Sequence, residues 1–252
     1  MLGRERSIPL VAGAFAALVP LTLASCGSSE ADKSPSQILQ DASTAIKAVS
    51  TYHLAGSGQS GGSKIGFDLH IGGPTAASGS VTMAGVTAQV VVVNGDAYLK
   101  GKDFLEQVAG SQAATLIDDN WVKVPASGSS DLTQSFSGLA NTKKLGGCLV
   151  SGFGGVNLTK STATINGKPV VVLQASALTM DFASSGPTYL LQVRSTGSTP
   201  SFDDCMNGSS SSSSGSTPVT GSGGTITFDS WGSSITVTPP PHPIDLSALS
   251  GG

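Results

Sequence analysis

The sequence predicts an α+β fold in which helices pack against one face of a single large antiparallel sheet. Three features carry that expectation: clean apolar/polar alternation over residues 64–71, two Asn-Gly hairpin signals, and one well-capped amphipathic helix ahead of them. The 252 residues are 38% hydrophobic with a formal charge of −3, which excludes a wholly disordered chain. No basic patch or stripe is visible, so nucleic acid is not an expected partner. Three cysteines exclude both a disulfide-dense scaffold and a four-cysteine zinc site.

The chain starts with a short positive segment carrying Arg4 and Arg6, followed by the uncharged, mostly apolar stretch 8–23. Those sixteen residues would span about 24 Å as a helix, short of a ~30 Å hydrocarbon core, and Pro20 interrupts them. The stretch therefore reads as a cleaved signal peptide, residues 1–25. It ends in Leu23-Ala24-Ser25-Cys26, which resembles the bacterial lipobox. In that motif small residues admit the peptidase, and the Cys26 thiolate takes a diacylglyceryl group. Palmitate-class acyl chains on Cys26 would hold the protein on the extracytoplasmic face of the cell membrane, stably so once two or more are present. Residues 26–33 are small and polar and read as a flexible tether.

The domain is expected over residues 34–246. Ser34, Pro35 and Gln37 make a helix start: N-cap, first helical position and capping-box partner. Ile38, Ala42, Ala45, Ile46 and Val49 then recur on one face. In 64–71, Ile65, Phe67, Leu69 and Ile71 share one side and Lys64, Gly66, Asp68 and His70 the other. Strand composition continues through 80–83 and 86–93. Asn94-Gly95 demands positive φ at both positions, the signature of a type I′ turn. That turn sets Val92 opposite Ala97 and Val90 opposite Leu99, all four facing inward. Residues 103–109 and 131–139 have helical spacing, and 121–124 read as a strand ended by Pro125. A second turn at Asn166-Gly167 puts Ala163 opposite Val170, so Ala163, Ile165, Val170 and Val172 are expected to share the inner face. Residues 188–193 form another strand. The Ser/Gly tract 208–224, with six consecutive serines at 209–214, reads as a disordered loop. Two final strands would carry Ile226 and Phe228, then Ile235 and Val237, before three prolines at 239–241 stop sheet pairing. Ile244 and Leu246 would pack back on the sheet edge.

At this level the chain resembles the LppX/LprA/LprF/LprG lipoproteins of mycobacteria and, more distantly, the LolA lipoprotein carriers. The resemblance rests on the lipobox, the helix following the tether, VVVVNGDAYLK at 90–100, the 121–125 strand and the 163–173 hairpin. The ending TITFDSWGSSITVTPPP at 225–241 completes it. It covers most of residues 34–246 and includes no catalytic motif. It implies a curved antiparallel half-barrel with helices on the concave face and an apolar cavity holding acyl chains of a lipid or glycolipid. It also implies no enzyme activity and no cofactor. Low aromatic content and the Gly/Ser/Ala-rich middle fit either a wider pocket or a filled core. A second function class, an envelope lipoprotein acting as a protein-interaction or signalling module, therefore stands beside the carrier. Its protein partner is unknown from sequence.

With Cys26 lipidated, Cys148 and Cys205 remain as an even pair. Outside the membrane such a pair suggests a disulfide, with a redox or metal pair and two free thiols as the alternatives. His53, His70 and His242 show no ligand spacing and read as surface residues, so no metal is expected. Asp118-Asp119 and Asp203-Asp204 read as solvated turns, the latter with weak calcium binding as the alternative. No nucleophile elbow or phosphate-cradling loop is present. The candidate cavity lining is Ile65, Phe67, Leu69, Val90, Val92, Leu99, Ile165, Val170, Val172, Phe228 and Val237.

Overall fold

Among the described residues, twelve strands form one sheet in the order β12-β6-β5-β4-β3-β2-β1-β11-β10-β9-β8-β7, curved and unclosed. The computed structural model describes residues 29–60, 62–109, 118–124, 138–153, 155–197 and 223–245. The first meander is β1 (Tyr52–Ser60), β2 (Ser63–Gly73), β3 (Ala76–Met83), β4 (Val86–Val93), β5 (Asp96–Lys100) and β6 (Val122–Lys123). The second is β7 (Thr159–Ile165), β8 (Lys168–Ala175), β9 (Leu178–Ala183), β10 (Leu190–Ser195) and β11 (Gly224–Asp229). Antiparallel pairing of β1 with β11 joins them. The short β12 (Ile244–Asp245) adds to β6 in parallel, so Ile244 does close the edge as expected. Among the described residues, the sheet is accompanied by α1 (Pro35–Lys47), α2 (Lys102–Ala109) and α3 (Thr142–Phe153).

Local chemistry explains why these elements form where they do. The Ser34 hydroxyl accepts from the Gln37 N–H at 3.4 Å, and the Gln37 side chain accepts from the Ser34 N–H at 2.9 Å, closing the capping box of α1. Asn94 and Gly95 both have positive φ, as do Asn166 and Gly167. Each turn sets the register read from sequence: Val92↔Ala97 and Val90↔Leu99 in the first, Ala163↔Val170 in the second.

The concave face is apolar. Ile38, Leu39, Ala42 and Ile46 of α1 and Leu145, Leu149 and Phe153 of α3 bury against Tyr52, Leu54, Leu69, Ile71, Val90, Val92, Val171, Leu173, Met180, Phe182, Val193, Ile226 and Phe228. The two helices lie against each other, and Gly146 marks their closest approach: a Cβ there would sit 2.8 Å from the Ser43 carbonyl oxygen. Thr142 donates to the Val49 carbonyl at 2.6 Å, and the buried Tyr52 hydroxyl donates to the Leu139 carbonyl, pinning the start of α3 over β1. Burial also pushes the Tyr52 phenol well above its ordinary pKa.

Several expectations are corrected. Val170 and Val172 are buried but do not join the helix-facing core; Val171 and Leu173 do. The run Val170-Val171-Val172-Leu173 is apolar on both sides, so alternation does not reveal its inner face. Residues 234–240 are not a sheet strand: β11 is already bonded by β1 and β10, which leaves no edge for a hairpin partner. Instead Val237 crosses the convex side and packs with Val91, Val93, Tyr98 and Trp121. Residues 30–33 are not free tether. They form a single 3-10 turn in which Glu30 is buried, Lys33 bridges Glu30 at 2.6 Å and Asp41 at 2.7 Å, and Lys160 of β7 donates to the Ala31 and Lys33 carbonyls. Strands β1 and β9 and helix α3 have no counterpart in the sequence reading. The 1–25 signal, Cys26, the 131–137 segment, Cys205, Asp203-Asp204, Leu246 and most of the Ser/Gly tract 208–224 lie outside the described residues.

Neighbouring glycines in α3 separate packing from propensity. Gly147→Ala meets nothing within 4 Å, and removing the helical glycine should raise stability by about 1 kcal/mol. Gly146→Ala meets backbone and should lower it by about 1–3 kcal/mol. Urea denaturation of the two variants checks the pair; equal effects would contradict the α1–α3 contact.

Candidate functional site

The concave face has two tiers, set by strand register. In the deep tier Tyr52, Leu54, Leu69, Ile71 and Ala77 lie side by side across β1–β3 and are fully covered. Further along the same strands and on the same face come Gly56 and Gly58 of β1, Ile65 and Phe67 of β2, and Val81 and Met83 of β3. This second tier is only half-buried. Phe67 and Val81 still pack against the main core, so the two tiers are continuous. Gly56 is required there: the Phe67 ring lies over it, and a Cβ would meet Cζ at 2.5 Å. The result is an apolar strip, low in side-chain volume on β1, at the end of the curved sheet.

The other end of the deep tier is closed by aromatics. Trp231 stacks on Tyr52 at 4.7 Å and on Tyr189 at 5.4 Å between ring centroids, and its indole N–H donates to the Leu190 carbonyl at 3.0 Å. Phe228 lies 5.8 Å from Trp231. Such near-parallel stacks fix the rings beyond what area burial supplies. The sequence places Tyr189 in the 188–193 strand and Trp231 in the 225–241 ending, but gives neither a role in the lining.

The structure sorts the sequence-derived lining as follows. Leu69, Val90, Val92 and Phe228 are deep-tier core. Phe67 and Leu99 pack half-buried against it, and Ile65 lies beside them in the open tier. Ile165 is half-buried near the β7–β8 turn and lies outside the core cluster. Val170, Val172 and Val237 do not face this site. Cys148 is buried on α3 among core residues. Asp118 and Asp119 are exposed, and Asp119 pairs with Lys100 at 3.4 Å, as a solvated turn should.

The convex face opposite carries a polar cluster absent from the sequence reading. Register places His53 of β1 directly between His70 of β2 and Asp229 of β11. His53 Nδ1 is 3.1 Å from Asp229 Oδ2, His53 Nε2 is 3.1 Å from Asp68 Oδ1, and the two imidazoles stack at 4.5 Å. Desolvation lowers the His53 pKa, but hydrogen bonds to Asp229 and Asp68 outweigh it and hold the value above the ordinary one. For Asp229, desolvation raises the pKa, and hydrogen bonds from Ser230 and His53 bring it below the ordinary value.

No model of a known protein family matches the sequence, and no curated protein does. Among solved structures, LprF from Mycobacterium bovis superposes with a TM-score of 0.51 at 17% identity, covering 82% of this chain and 96% of that one. The chain shares the fold of LprF. The half-barrel with helices on its concave face is therefore the LprF architecture, as the sequence resemblance implies. Among the described residues, no helix is long and apolar enough to cross a membrane.

The His53 bridge has a defined pH signature. Its raised pKa makes a contribution to stability that is complete below the unfolded value of about 6.5 and is lost as pH rises through the folded value. The lowered Asp229 pKa contributes above about pH 3.9 and is lost as pH falls. Denaturation midpoints measured in EDTA should fall between pH 6 and 8, and that step should vanish in His53→Gln. An unchanged step in the variant would remove His53 as its source.

Proposed function

We propose that this chain is a membrane-anchored lipoprotein that binds or shuttles a lipid or glycolipid along its concave apolar face. The observation that supports this reading is the half-buried tier of Ile65, Phe67, Val81 and Met83, continuous with the core and left open beside Gly56 and Gly58. An acyl chain laid on that strip gains about 0.8 kcal/mol for each CH₂ removed from water, so a carrier needs no acid, base or nucleophile. Sharing the LprF fold supports the reading. Anchoring would come from acylated Cys26, and the docked 30–33 turn would place the domain only a few residues from the membrane surface. Cys148 would pair with Cys205 as a disulfide, fixing α3 to the chain beyond β10.

Native mass spectrometry of residues 27–252, expressed in a lipid-containing host, tests the ligand. Co-purified lipid should be present and should be lost in Phe67→Glu and Met83→Glu. Val156→Glu, on an exposed position, should leave it bound. A folded, lipid-free protein would favour the interaction-module reading instead. Separately, Cys26→Ser should release the chain from membranes, and globomycin should block processing of the parent; an unmodified Cys26 in the mature protein would remove the lipoprotein assignment.

A further inference from the structure

The convex-face cluster has the composition and spacing of a metal site. We propose that His53, His70 and Asp68 bind a divalent transition-metal ion, zinc or copper, with Asp229 orienting His53 from behind. The ligand atoms of the three residues all lie within 4.8 Å of one another. Two ligands at about 2.0–2.1 Å from a tetrahedral ion are about 3.3–3.4 Å apart, so the 3.1 Å separation of His53 Nε2 and Asp68 Oδ1 is nearly that of a ligated pair. Two imidazoles and a carboxylate suit a borderline cation such as zinc or copper better than calcium or magnesium, which take oxygen-only shells.

The strands prepare the site. Each ligand sits in a β-ladder, where backbone hydrogen bonds fix its Cα, and the register puts His53 opposite His70 with Asp68 two residues along. Asp229 reaches Nδ1 of His53, and Ser230 donates to the other Asp229 oxygen at 2.7 Å. A carboxylate behind a ligating histidine fixes the tautomer with hydrogen on Nδ1 and leaves the Nε2 lone pair for the ion. His53 lies between the two carboxylates, 3.1 Å from each, so their negative charge flanks the place an ion would take. Any proton on Nε2 goes to solvent when the ion binds there. The side chains of Asp68 and Asp229 are more than half exposed and His70 is exposed, so an ion enters without opening the fold, and a water completes the shell. The register neighbours are small and polar: Ser78 and Ser80 of β3 face His70 and Asp68.

Isothermal titration of zinc chloride and of copper sulfate into the purified full chain at pH 7.5 tests this. The Cys26→Ser form is used so that its thiol does not compete. One equivalent should bind, with proton release that depends on the buffer, and copper EPR should show two nitrogen ligands. His53→Asn and His70→Asn should each weaken binding about 100-fold or more, and Asp68→Asn, on an exposed position, should weaken it while leaving the circular dichroism unchanged. Asp229→Asn should weaken it about 10–100-fold with both nitrogens retained. His242→Asn, on a remote turn, should change nothing. No saturable binding below about 1 mM, or binding that survives both His53→Asn and His70→Asn, would overturn the site.

Discussion

The fold depends on β1 being paired on both edges. On one side it bonds β2, which follows it directly; on the other it bonds β11, with partners such as His53 and Asp229 separated by 176 residues. Remove the second pairing and two separate meanders remain, each with a long unpaired edge. With it, Tyr52 and Leu54 occupy the middle of the concave face, where α1 and α3 cover them. Such a closure is slow to find, because the loop entropy is spent before the contact repays it. The polar link across it, His53 to Asp229, and the aromatic link, Tyr52 with Phe228 and with Trp231 just past β11, sit on opposite faces of the same two strands.

What the sequence makes legible is local and geometric. Asn-Gly steps declare their turns because few other dipeptides tolerate two positive φ values, and each turn carries its register with it. The Ser34–Gln37 box declares the start of α1 in the same way. What stays hidden is set by tertiary contact. β1 goes unread because Gly56, Ser57 and Gly58 dilute its alternation, yet Gly56 is small because the Phe67 ring occupies its space. Helix α3 is hidden by Gly146-Gly147, and Gly146 is small because Ser43 of α1 lies against it. The inner face of β8 is hidden because four consecutive residues are buried: Val170, Val171, Val172 and Leu173. In that strand the period-2 signal is erased by success at burying both sides.

The same logic explains the sites. Phe67 and Leu69 are readable because β2 has one polar side, and Val90 and Val92 because the Asn94-Gly95 turn sets them opposite Leu99 and Ala97. The division of that lining into a covered and a half-open tier is not, since it depends on where α1 and α3 end along the sheet. Likewise His53 and His70 are 17 positions apart with no ligand spacing, and only the β1–β2 register makes them neighbours.

On the proposed carrier reading, the two tiers divide the work of the concave face between stability and use. Fully burying a Val, Leu, Ile, Phe or Met side chain contributes about 1.5–3 kcal/mol. Ile65, Phe67, Val81 and Met83 realise only part of this, whereas Leu54, Leu69, Ile71, Leu173 and Phe182 realise nearly all of it. The deep tier, clamped by Tyr52, Thr142 and the α1–α3 crossing, therefore carries the fold by itself. The open tier contributes little that the fold requires, and its unspent burial is available to an apolar guest. A guest there restores the same kind of contact that the helices make one tier away. On that reading a guest would enter and leave without disturbing the residues that hold β1 between β2 and β11, which is the condition a reversible carrier has to meet.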